Sequence, residues 1–208
     1  HSDWFDLKVG ELSLSKIDVM AYLRNKSLRI DEVKVKDATL QNLKNQKIVV
    51  PHHEVPMIYS GLQKAPLSVD IRKVGIDNFT VVYEELAKKG IVPGKLYLTG
   101  ITGSLSGVTN RPSSNNQYMT LDATGKLMNK GRFKFLWKMP LDSTNDYFHL
   151  NIHISAFDMN AINELVTPLA STEILSGHLN EMTFSTDASS KGATAQMQLL
   201  YNDLRVSL

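Results

Sequence analysis

The sequence predicts a mainly β protein: a mostly antiparallel sheet with one apolar face and two or three short helices. Three observations carry this reading. Apolar residues recur with a period of two, most cleanly where Phe148, Leu150, Ile152 and Ile154 alternate with His149, Asn151, His153 and Ser155. The alternating stretches are joined by short polar turns and not by long helical patterns, which favours hairpins over βαβ units. Two stretches also break the alternation in the same way. Val33, Val35, Ala38 and Leu40 share their spacing with Val74, Ile76, Phe79 and Val81.

The elements follow in order. Phe5-Asp6-Leu7-Lys8-Val9 and Glu11-Leu12-Ser13-Leu14 alternate as strands. Residues 18–24 form a short helix, with Asp18 as its cap and Val19, Tyr22 and Leu23 on one side. Leu28-Arg29-Ile30-Asp31 leads into the first quartet and Leu67-Ser68-Val69-Asp70 into the second, with a two-residue offset upstream. In each quartet a step of three falls at Lys36-Asp37 or at Asp77-Asn78. An extra residue in a strand is a bulge, so the two stretches predict a repeated, bulged sheet element.

Residues 83–94 read as a polar connection with one helical turn at 84–89. Residues 95–105 resume as strand, and 110–117 form a loop by composition. Residues 119–127 and 131–139 predict a hairpin turning at Asn129-Lys130-Gly131. A helix over 158–169 places Ile162, Leu165, Val166 and Leu169 on one face, with Asp158 as N-cap and Ser155 as a second cap. Residues 176–184 turn extended, 187–192 form a small-residue turn, and Ala193, Ala195, Met197, Leu199 and Tyr201 alternate to the end. The count is about ten strands.

Composition excludes several classes. Net charge is +2 with basic residues dispersed, so no run argues for nucleic acid. There is no cysteine, which excludes disulfides and thiolate metal sites. No apolar run approaches the ~18 residues needed to span a bilayer, and no signal peptide is visible. Because the chain opens in strand-like sequence, it is expected to be a fragment of a longer protein. Residues 1–208 read as a single β-rich region, with a subdivision into 1–110 and 118–208.

Catalytic chemistry finds little support. His52-His53-Glu54 is the best metal candidate, but adjacent strand residues point to opposite faces, and Pro51 and Pro56 mark a loop. His149 and His153 share a strand face about 13 Å apart, too far to share a metal. The glycines at 100, 103 and 107 precede no helix signal and match no phosphate-binding motif. Gly103-Ser104-Leu105-Ser106-Gly107 has leucine where a nucleophile elbow requires serine. Glu84 and Glu85, followed by Lys88 and Lys89, read as a solvated turn. The protein is expected not to be an enzyme and to need no cofactor or metal.

Two stretches carry a resemblance. One runs Val74-Gly75-Ile76-Asp77-Asn78-Phe79-Thr80-Val81-Val82-Tyr83-Glu84, then a variable loop, then Gly94-Lys95-Leu96-Tyr97-Leu98. The other is the short Asp/Asn-led helix, then Leu175-Ser176-Gly177-His178-Leu179, then a hairpin ending Leu200-Tyr201-Asn202-Asp203-Leu204-Arg205-Val206. Together they make the chain resemble the AsmA-like superfamily of bacterial envelope proteins, Bacteroidetes-type members above all. The resemblance implies a periplasmic module, tied to the inner membrane by an anchor outside this sequence. It also implies an elongated, curved sheet and a non-enzymatic role in guiding lipid between membranes and maintaining the envelope. The partners it implies are phospholipid or other acyl chains and envelope proteins. The candidate lipid-lining residues are Val74, Ile76, Phe79, Val81, Phe148, Leu150, Ile152, Ile154, Met197 and Leu199. Two alternatives stand beside it: a structural or protein-binding β module using exposed sheet edges, and a hydrolase built around His52, His53 and Glu54.

Overall fold

In the computed structural model, residues 3–48, 58–111, 117–143 and 145–207 are described. Nine strands form one open sheet in which spatial order follows chain order. They are β1 (Asp3–Ile17), β2 (Ser27–Asn45), β3 (Ser68–Leu86), β4 (Gly94–Thr109), β5 (Tyr118–Leu127), β6 (Gly131–Pro140), β7 (Phe148–Asp158), β8 (Glu173–Ser189) and β9 (Gly192–Ser207). Every neighbouring pair is antiparallel except β2 and β3, which run parallel. Three short α-helices accompany the sheet: α1 (Val19–Asn25), α2 (Ile58–Gln63) and α3 (Asn163–Ala170).

The parallel pair explains the internal similarity. β2 and β3 hold one register throughout, from Ser27 beside Ser68 to Asn45 beside Leu86. Val33 therefore lies beside Val74, Val35 beside Ile76 and Leu40 beside Val81. The upstream offset inferred from sequence disappears, because Leu28 pairs with Val69 and not with Leu67. Both steps of three are backbone irregularities. Asp37 has φ 51° and Asn78 φ 52°, and the Asn78 amide donates to Asp37 Oδ1 at 2.6 Å. Asn and Asp tolerate the left-handed region better than other residues with a Cβ. The strand beyond each bulge thus returns its apolar residues to the original face.

Some expected boundaries move. The two N-terminal stretches are one strand, β1, continuous through Gly10. The helical turn expected at 84–89 is absent, because Glu84 and Glu85 are strand residues paired with Leu43 and Lys44 on one side and with Lys95 and Gly94 on the other. Sheet pairing satisfies those backbone groups from both edges, which an isolated turn cannot do. Asp18 does cap α1, its Oδ1 accepting from Ala21 N at 2.8 Å. Asp158 does not cap the next helical segment. It ends β7 in extended conformation, with Oδ1 2.9 Å from His178 Nδ1. The expected helix over 158–169 begins as a 3-10 turn, Met159–Ile162, before α3. α2 had no sequence signal.

The buried core lies in two clusters. One gathers Tyr59 of α2 with Met119, Met139 and Leu141. The Tyr59 hydroxyl donates to the Leu141 carbonyl, and Ser60 N donates to Asp146 Oδ1 at 2.9 Å, fastening α2 to the sheet end. The other cluster joins Met159 to Phe133, Ile154, Phe157, Ile174 and Leu179. There Asn163 grips Ile174 twice, Nδ2 donating to its carbonyl at 2.9 Å and Oδ1 accepting from its N–H at 2.8 Å. A Cβ on Gly131 would stand 2.6 Å from the Phe157 ring, so glycine is required for that packing.

Candidate functional site

One sheet face is apolar across its whole width. Because each bulge restores the alternation, paired residues form continuous rows. One row reads Leu12, Val35, Ile76, Gly103, Ala123, Phe135, Ile152, Phe184 and Met197, one residue from each strand. The next reads Leu14, Val33, Val74, Leu105, Leu121, Trp137, Leu150, Thr186 and Ala195. Eight inter-strand gaps of ~4.8 Å make such a row about 38 Å long. Trp137 and Phe148 meet at one end with ring centroids 6.2 Å apart.

Among the described residues, the helical segments lie over the ends of this face. Tyr59 sits over Met119 and Met139, and Met159 over Phe157 and Leu179. Of the residues proposed from sequence to line a lipid surface, Val74, Ile76, Phe79, Val81, Phe148, Leu150, Ile152 and Leu199 are half-buried. Met197 is 65% exposed, near the β9 edge. Ile154 is 8% exposed and belongs to the packed cluster beneath Met159. Ile76 and Ile152 share one row, Val74 and Leu150 the next. Sequence reasoning omitted the middle of both rows, namely Leu105, Leu121, Ala123, Phe135, Trp137 and Phe184. Their signal was present as the alternation of Phe133, Phe135 and Trp137 with Lys134 and Lys138.

The opposite face is polar. Along β7 and β8 it carries three histidine–carboxylate pairs: His149 Nδ1 to Asp187 Oδ1 at 3.0 Å, His153 Nε2 to Glu181 Oε1 at 3.1 Å, and Asp158 with His178 as above. The Tyr147 hydroxyl also donates to Asp187. That bond and the adjacent His149 hold the Asp187 carboxyl below its usual range. The other ring nitrogen of His149 lies 2.8 Å from Asn151 Nδ2, so both nitrogens are engaged and neither addresses a nucleophile. Lys134, Asn151, Ser185 and Gln198 line an open depression of about 530 Å³ nearby. Among the described residues no three His, Asp or Glu side chains converge as metal ligands. His52, His53 and Glu54 lie outside the described residues.

At the far side of the sheet, ion pairs knit the strands. Arg72 Nε donates to Asp31, with Lys16 3.3 Å away. The guanidinium and, secondarily, the Lys16 ammonium hold the Asp31 carboxyl at a pKa of about 2. Glu85 accepts from the Tyr83 hydroxyl at 2.7 Å and from Gln46. Burial, reinforced by that carboxylate, pushes Tyr83 up to about 12. These groups are structural ties between neighbouring strands and offer no open coordination position.

No protein-family model matches the chain, and no curated protein is significantly similar to it.

Proposed function

We propose that this protein is a non-enzymatic module that holds acyl chains along its apolar sheet face, between the helical segments at either end. The observation that carries the reading is the unbroken apolar row through Ile76, Phe135, Ile152 and Phe184, half-buried, with no described helical segment over its middle. A row about 38 Å long exceeds twice the ~15 Å that one leaflet contributes to a bilayer's hydrocarbon core. Burying each methylene is worth about 0.8 kcal/mol, so one acyl chain gains on the order of 10 kcal/mol before ordering costs. Such binding needs no charged or catalytic group. The resemblance to AsmA-like envelope proteins supports the same reading, and with it a periplasmic setting close to a membrane.

The test is native mass spectrometry of gently purified protein, with lipid extraction from the same sample. Bound phospholipid at defined stoichiometry is expected, and Ile152→Glu should abolish it while leaving the far-ultraviolet circular dichroism intact. A lipid-free mass for the wild type, together with no uptake from phospholipid vesicles, would refute the proposal.

A further inference from the structure

The edges of the sheet differ. β9 meets β8 with three register irregularities, and Asp203 sits at φ 52°, so this edge is broken and twisted. β1 is 15 residues long, contains no proline and keeps a single register with β2, its one left-handed residue being Lys16 at φ 52° near its end, beyond residues 6–15. Its apolar residues stand well exposed, Leu7 at 58% and Leu12 at 61%. Over residues 6–15 β1 is a regular apolar edge with no strand partner among the described residues on its outer side, a template for a further strand.

The spacing of β1 identifies that strand. Leu7, Val9, Leu12 and Leu14 are separated by steps of two, three and two, which read the same in both directions. β2 meets them antiparallel with the same palindromic spacing, Leu40, Ala38, Val35 and Val33. Any antiparallel neighbour of β1 must carry this pattern to keep its apolar residues on the shared face. β1 itself carries it.

We infer that β1 pairs with β1 of a second copy about a two-fold axis passing between Gly10 and Glu11. In that register Leu7 faces the other copy's Leu14 and Val9 faces its Leu12. The row Val35–Leu12 then continues through Val9 and Ala38 of the second copy. On the polar face Lys8 meets Ser13 and lies diagonal to Glu11 of the other copy, twice by symmetry. Across residues 6–15 no like charges stand opposite each other. An axis perpendicular to the sheet keeps both apolar faces on one side, giving a closed, isologous dimer with an eighteen-stranded sheet.

The absence of cysteine makes the register directly testable. Sedimentation equilibrium of delipidated protein should give twice the 23.3 kDa chain mass. The double variant Lys8→Cys, Ser13→Cys places thiols opposite each other across the axis and should form a disulfide-linked dimer under mild oxidation. Asp6→Cys, Lys8→Cys should not, because its thiols lie several residues apart across the axis. Lys8 and Ser13 are exposed and Asp6 is half-buried, and none of the three belongs to the packed core, so folding is preserved. A monomer at high micromolar concentration overturns the inference, as does a dimer in which the first pair fails to cross-link or both pairs cross-link equally. Because the protein is delipidated, the outcome does not depend on acyl-chain binding.

Discussion

Asn78 offers a test in which two physical rules predict opposite orders. It lies inside β3 with φ 52°, beside Asp37 at φ 51°, and its amide donates to Asp37 Oδ1 at 2.6 Å. Strand propensity ranks valine above alanine above glycine over a span of about 1 kcal/mol. The left-handed backbone reverses that ranking. A Cβ in this conformation costs about 1–2 kcal/mol, glycine is free of the penalty, and a β-branched side chain suffers most. Asn78→Gly therefore loses only a solvent-exposed hydrogen bond, about 0.5 kcal/mol. Asn78→Ala loses that bond and adds strain that Asn partly escapes, for a total of about 1–2 kcal/mol. Asn78→Val should exceed Asn78→Ala. Urea unfolding followed by circular dichroism, with slopes compared to confirm two-state behaviour, gives the three free energies. If valine proves the best tolerated and glycine the worst, the bulge does not determine how β3 continues, and the account of the apolar rows fails with it.

Two further outcomes follow from the same geometry. Gly103→Ala should destabilise by about 1–3 kcal/mol through overpacking, since the new Cβ would lie 2.2 Å from the Asp122 carbonyl oxygen. Gly61→Ala in α2, with nothing within 4 Å, should instead stabilise slightly in the same urea assay. For Asp31, the folded pKa of about 2 lies below the ordinary 3.8. Its contribution to stability is thus fully present above the unfolded value and is lost as pH falls through the folded one. Carboxyl-carbon NMR should place its midpoint near 2, and Arg72→Gln should move it up towards 3.8. A wild-type midpoint already near 3.8 would show that the Arg72 pairing does not persist in solution.

Much of the sheet was legible because strand alternation is a local signal. The hairpin of β5 and β6 turned where Asn129 and Gly131 predicted, with Met128 and Asn129 both at positive φ. The bulges were legible because a step of three is visible in the spacing alone. What failed depended on distant partners. Glu84 and Glu85 look like turn residues until β2 and β4 supply pairing on both sides. Asp158 looks like a cap until His178 arrives across the sheet. α2 was illegible because its described burial comes from Tyr59 and Leu62 meeting Met119, Met139 and Leu141 from remote parts of the chain. For the candidate site, alternation identified which face is apolar. Which residues on it stay uncovered depends on where Tyr59 and Met159 dock, and no spacing records that.

The constant offset between β2 and β3 has a consequence for how such a sheet changes length. Ser27 pairs with Ser68 and Asn45 with Leu86, so one strand and its return connection form a unit of forty-one residues. A tandem insertion of one such unit would add a strand parallel to both, with its left-handed residue in line with Asp37 and Asn78. Its apolar side chains would fall on the existing face. No neighbouring strand would change register, and no turn would need redesign. The sheet can widen by duplication at this seam in whole strands, inheriting its surface chemistry intact.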